Sequence, residues 1–189
     1  MKNITFILMS TLLLACSTKD KDQTGHQHDP TEVTTESKKP KSPKTSAMAM
    51  VGGNHIHIDY SAPSVRGRQI FGGLVAYDEI WVAGAHKATS ISFDKAVTIG
   101  DKKVPAGKYG FFTIPGKEKW IIILNKQWDM HLADDYQQSE DILRLEVTPE
   151  ILETPVEMLT YTVNSTDGKN AVVSIAWDMI RISFEVRNV

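Results

Sequence analysis

Three hydropathy patterns succeed one another along the chain. Residues 4–14 are largely apolar, follow Lys2, and end in Leu13-Leu14-Ala15-Cys16. Residues 17–46 are polar, mixing Lys, Asp, Glu, Thr, Ser and Pro with no period of 2 or 3.6. From Met48 onward, runs of about four to eight residues alternate or are wholly apolar, separated by Gly, Pro, Asn and Asp turn signals. His55-Ile56-His57-Ile58-Asp59-Tyr60 alternates, as does 89–93, with Ile91 and Phe93 on one side. Further strands are expected at 79–82, 96–99, 108–114, 119–125, 141–148, 157–164, 171–177 and 180–187, with Asp167-Gly168 as a hairpin loop. Residues 133–139 offer one turn of helix, and no longer segment carries a helical stripe. About nine short strands with frequent turns predict an all-β fold, one antiparallel β-sandwich, with a β-barrel as the alternative.

The N-terminal pattern changes the picture from fold to location. A positive residue, an apolar stretch too short to span a bilayer and a small residue before the cut describe a secretory signal peptide. A Cys immediately after Ala15 marks a lipoprotein signal, in which the thiol takes the lipid and becomes the new N-terminus. Cys16 is the single cysteine of the 189 residues, so the folded part has no disulfide and no thiolate ligand. The expected organisation is a signal peptide at 1–15, lipidated Cys16 with a disordered tether to 47, and a β-sandwich domain at 48–189. A polar stretch of this kind buries too little apolar surface to offset its ordering entropy. The expected location is the cell envelope, as an outer-membrane lipoprotein facing the periplasm or the surface, and as a monomer. The formal net charge is −2 with acids and bases interspersed, which gives no nucleic-acid-binding surface.

Candidate chemistry rests on histidine and arginine. His55, His57 and Asp59 share one face of an alternating strand. His86 lies in a Gly84-Ala85-His86 turn, and His131 follows Trp128-Asp129-Met130. Without thiolates, a borderline metal must be held by imidazoles. His57, His86 and His131 are therefore expected at one mouth of the sandwich, with Asp59 behind them orienting an imidazole, as a copper or zinc site. Met48, Met50 and Met130 are further thioether donors that favour Cu(I). Arg66 and Arg68, flanking Gly67 in a turn-rich loop, form an anion-binding candidate able to grip a carboxylate or phosphate. The opposing expectation is that such an arginine staples its loop through backbone carbonyls. His26-Gln27-His28 in the tether is a weaker metal collector. No nucleophile elbow, phosphate loop or dinucleotide fingerprint is present.

Several long stretches resemble a single family. They are Ile58-Asp59-Tyr60-Ser61-Ala62-Pro63-Ser64-Val65-Arg66-Gly67-Arg68, Ile70-Phe71-Gly72-Gly73-Leu74-Val75, Trp81-Val82-Ala83-Gly84-Ala85-His86, Val104-Pro105-Ala106-Gly107-Lys108-Tyr109-Gly110-Phe111-Phe112 and Asp141-Ile142-Leu143-Arg144. Together they resemble the envelope lipoproteins of domain of unknown function number 2911, found mostly in Bacteroidota, over about residues 54–186. The resemblance implies a β-rich extracytoplasmic domain and no established activity. Family members commonly carry Asn where this chain has His86, so the resemblance implies no role for that residue. Lys19-Asp20-Lys21-Asp22 is similar to the charged export signal of surface lipoproteins in the same bacteria.

The functional expectation is a lipid-anchored cell-envelope binding module, with a His-based copper or zinc site as its most specific ligand. The alternatives are a structural or assembly lipoprotein contacting a protein or glycan partner, and a metal-dependent hydrolase with a metal-bound water as nucleophile. A deep pocket with Arg66 or Arg68 at its mouth points instead to a small anionic ligand.

Overall fold

The computed structural model describes residues 40–189. The expected signal peptide, Cys16 and most of the expected tether lie outside them. Ten strands form: β1 (Lys44–Val51), β2 (Asn54–Ser61), β3 (Thr89–Phe93), β4 (Val97–Ile99), β5 (Lys102–Val104), β6 (Gly107–Ile114), β7 (Trp120–Asn125), β8 (Asp141–Val147), β9 (Glu150–Ser165) and β10 (Asn170–Asn188). They build two antiparallel sheets, one in the order β1-β2-β3-β6-β7-β8 and the other β5-β4-β10-β9. This is the expected sandwich, without barrel closure.

The period-2 alternation explains the core. Ile56 and Ile58 of β2, Ile91 and Phe93 of β3, Phe111 of β6 and Ile122 and Leu124 of β7 all point to one side. They meet Val173, Ile175, Trp177, Ile182 and Phe184 of β10 in one large buried cluster. Side chains of opposite parity, Phe112 and Ile123, are also fully buried. They face outward from the six-stranded sheet and are covered by Val82, Ala88 and Met130. The outer face of that sheet is thus covered over β6 and β7.

Several elements differ from the expected set. β1 extends the domain to Lys44 and forms an eight-pair ladder with β2, from Lys44↔Ser61 to Val51↔Asn54. Its tight turn is Gly52-Gly53, with φ of 58° and 70°. Positive φ at both central residues is the I′ geometry that suits a twisted hairpin, and glycine adopts it without steric cost. Residues 171–177 and 180–187 are one strand, β10, broken in register around Asp178 (φ 53°). Across this irregularity the inward parity changes, from Val173, Ile175 and Trp177 before Asp178 to Ile182, Phe184 and Val186 after it. Residues 79–82 form no strand but only a bridge from Trp81 to Thr113. The helical turn expected at 133–139 does not form there; a single 3-10 turn follows at Gln138–Glu140. Among the described residues no helix is long and apolar enough to cross a membrane.

Candidate functional site

The long connection between β2 and β3, residues 62–88, carries three of the candidate residues, Arg66, Arg68 and His86. Its first turn is Val65-Arg66-Gly67-Arg68, closed by the Arg68 N–H donating to the Val65 carbonyl (3.0 Å). Arg66 and Gly67 both have positive φ, 50° and 66°. Arg68 locks the turn by donating from Nε to Val65 O (3.1 Å) and from Nη2 to Ser64 O (2.6 Å). Arg66 donates from Nη2 to Lys41 O (2.9 Å). Both arginines therefore staple the loop. A guanidinium carries five donors, so each keeps N–H groups free of these bonds.

Further along, the turn at Ala83 is fixed from three sides. The Tyr161 hydroxyl and Thr89 Oγ1 both donate to the Ala83 carbonyl (2.6 and 3.0 Å), and Trp81 Nε1 donates to Gly84 O (3.2 Å). Burial pushes the Tyr161 pKa well above its ordinary value, so the phenol stays a donor. A Cβ on Gly84 would come within 2.7 Å of Thr89 Oγ1, which reserves the position for glycine. This clamp sets the exit of the chain toward His86, whose own φ is 67°.

Between these two turns and β10 lies a cleft of about 420 Å³. Its apolar part is formed by Val75, Trp81, Val82 and Trp177. Trp81 stacks on Trp177 at 5.8 Å and 18°, and Phe71 meets both rings edge-on. Arg66, Arg68, Lys41 and His86 line the remainder, and no carboxylate does. Glu157 accepts from the Arg66 backbone N–H (3.0 Å). Among the described residues neither guanidinium makes an ion pair. One further feature was hidden from sequence reasoning: the indole N–H of Trp177 is buried and has no acceptor among the described residues. An unmet buried donor costs about 1–3 kcal/mol.

A second depression, about 260 Å³, is lined by Asp59, Lys87, Lys108, Trp128 and Asp129 among others. All of its charges but that of Lys44 compensate one another. Lys87 pairs with Asp129 (2.8 Å), Lys108 with Asp59 (3.2 Å), and Lys108 also sits 4.5 Å from the Trp128 ring centroid. The cleft, with uncompensated cations, is the stronger site for a charged ligand.

The expected histidine trio does not assemble. Among the described residues no group of three or more His, Cys, Asp or Glu side chains is placed to hold a metal ion. The reason is local pairing. Lys87 bridges His131, and the Leu132 N–H donates to the His86 carbonyl (2.7 Å). Directly paired residues share a face, so His131 sides with Lys87 and His86 with Leu132. Accordingly His86 and Leu132 line the cleft, and His131 does not. His131 instead lies near Asp134 (Nδ1 to Oδ2, 3.4 Å). His57 sits in mid-β2, where Nε2 donates to Asp59 Oδ1 (2.8 Å). Burial raises the Asp59 pKa, but the hydrogen bonds and charges of His57 and Lys108 together outweigh it and hold the carboxyl below its ordinary value. Asp59 thus does orient an imidazole, though not toward the expected partners.

The fold and the cleft define a two-sheet, all-β domain with a single-sign, aromatic-backed recess. The chain belongs to the family described as Protein of unknown function (DUF2911), which matches residues 42–186 and hence nearly the whole described region. No curated protein and no solved structure gives a significant match.

Proposed function

We propose that the protein is a lipid-anchored binding module of the cell envelope, and that its ligand is a small anion with an apolar or aromatic body. The anchor rests on the Leu-Leu-Ala-Cys sequence ending at Cys16. The ligand rests on one observation: the cleft joins the free donors of Arg66 and Arg68 to the stacked indoles of Trp81 and Trp177, with no acid in its lining. A carboxylate or phosphate gains two parallel hydrogen bonds from a guanidinium fork, and a planar body gains contact with the indoles. A volume of 420 Å³ falls in the range of small-molecule sites.

Titration with 1-anilinonaphthalene-8-sulfonate, an aromatic anion, tests the site through its own fluorescence and quenching of tryptophan. Hydrogen bonds to charged groups contribute about 1.5–3 kcal/mol each, so Arg66→Ala/Arg68→Ala should weaken binding by about 100-fold. Trp177→Phe, which keeps an aromatic ring and deletes the N–H, should weaken it by a smaller factor. Equal affinity for the parent and the double variant would reject the cleft.

A further inference from the structure

The edge strand β1 has its apolar side chains the wrong way round. Ala47 and Ala49 pack against the core, while Met48 and Met50 stand on the outer face, 52% and 66% exposed. A strand built only to cover a core would turn its large residues inward. The register shows what the methionines face. Met48 pairs directly with His57, and Met50 with His55. On the same face of β2 the two imidazoles are neighbours, with ring centroids 5.5 Å apart. None of the four lines the cleft.

Geometry makes this quartet a compact donor set. Opposed residues on an antiparallel pair have Cβ atoms about 5 Å apart, and positions i and i+2 are about 7 Å apart along a strand. The centre of such a rectangle lies about 4 Å from every Cβ. Two imidazole nitrogens and two thioether sulfurs reach an ion above that point without a backbone change. Methionine's three rotatable bonds make the adjustment easy. His57 is already prepared for it. Its Nε2 proton is held by Asp59, and a carboxylate only accepts, so the Nδ1 lone pair is available. Lys108 in turn holds the other Asp59 oxygen (3.2 Å). This carboxylate–imidazole relay orients ligating histidines in metal sites.

We infer that Met48, Met50, His55 and His57 form a binding site for a soft monovalent metal ion, Cu(I), on the outer face of the β1–β2 hairpin. Thioethers select Cu(I) over the harder divalent ions, and imidazole accepts it equally well. The site adds no charge of its own, which suits a monovalent ion better than Zn²⁺.

The test uses the full chain carrying Cys16→Ala, so that no thiol competes for the metal. Cu(I), supplied in the reduced state and contested by a chromogenic Cu(I) chelator, should bind at one ion per chain. X-ray absorption should show sulfur and nitrogen in its coordination shell. Met48→Leu/Met50→Leu keeps side-chain volume at exposed positions, so the apo protein should melt like its parent. That variant should hold Cu(I) at least 100-fold more weakly and lose the sulfur signal. His55→Ala/His57→Ala should lose the ion as well, and Asp59→Asn should weaken it by about 10- to 100-fold. Ag(I) should follow the same order across the variants. Undiminished Cu(I) affinity in the methionine variant, or a shell without sulfur, would overturn the site. Cleft binding of the aromatic anion should be unchanged throughout, which separates this site from the proposed ligand cleft.

Discussion

Cys16→Ala should move the protein entirely from the membrane pellet to the soluble fraction. Each buried CH₂ contributes about 0.8 kcal/mol to anchoring, so one acyl chain holds a protein reversibly and a second makes attachment durable. On the proposed lipoprotein reading, Cys16, the single cysteine of the sequence, carries these chains. The parent should therefore resist washing with high salt, which releases proteins held by charge alone. The variant should keep the melting temperature of the lipid-free domain, since residue 16 lies well before the family match at 42–186. Fractionation with a salt wash decides the matter: a variant that stays in the pellet would exclude lipidation at Cys16.

Asp141→Ala should be strongly destabilising, at about 3–5 kcal/mol, the usual cost of breaking a buried ion pair from one side. The Asp141 side chain is 5% exposed and bonded to Arg144 (2.8 Å). It also accepts from the Tyr136 hydroxyl (2.6 Å) and from Asn125 Nδ2 (2.8 Å). Arg144 also donates to the Tyr136 oxygen (3.1 Å), closing the network, and Asn125 Nδ2 reaches the Gln137 carbonyl (2.9 Å). These bonds tie the segment between β7 and β8 onto the sheet, where Met130 and Tyr136 cover Phe112 and Ile123. Against a total stability of about 5–15 kcal/mol, the loss should be plain in urea midpoints. The same network gives an alkaline signature. Burial first, then the bond to Asp141, push the Tyr136 pKa up to about 12 from 10.0. The folded state therefore favours the neutral phenol. Its contribution is full below pH 10, in the unfolded-state range, and is lost as pH rises toward 12. Tyr136→Phe should flatten that part of the stability–pH curve.

The strands of the six-stranded sheet were legible where alternation is strict and turns are marked. β2 and β3 have both, β6 and β7 read as short apolar runs between marked turns, and the Arg66-Gly67-Arg68 turn announces itself by its glycine. β1 was missed because its outward methionines and inward alanines reverse the usual sizes, although Gly52-Gly53 is a hairpin signal. β10 was divided in two because Asp178 interrupts the apolar parity. That break is a bulge and not an end, a distinction set by the partner strand β9 and invisible locally. The cleft was only half legible. Its arginines lie together in sequence, while Trp177 reaches Trp81 across the sandwich, a contact that depends on topology. His86 and His131 show the opposite failure: the chain does bring them close, but the pairing of Lys87 with His131 assigns them to different faces.

The chain enters β1 at Lys44, at the open end of the β1–β2 hairpin and opposite its glycine turn. Any pull arriving from the N-terminal side falls first on the bonds that the Lys41 and Pro43 carbonyls accept from Arg66 and the Ala62 N–H, then on the Lys44↔Ser61 pair and only last on Val51↔Asn54. Directed away from the sheet, such a load opens the ladder one pair at a time, like a zip. Directed along the strand, it must shear all the pairs together. The mechanical strength of the attachment therefore depends on the direction of tension, and an ion bridging Met48 to His57 would act as a rivet partway along the seam.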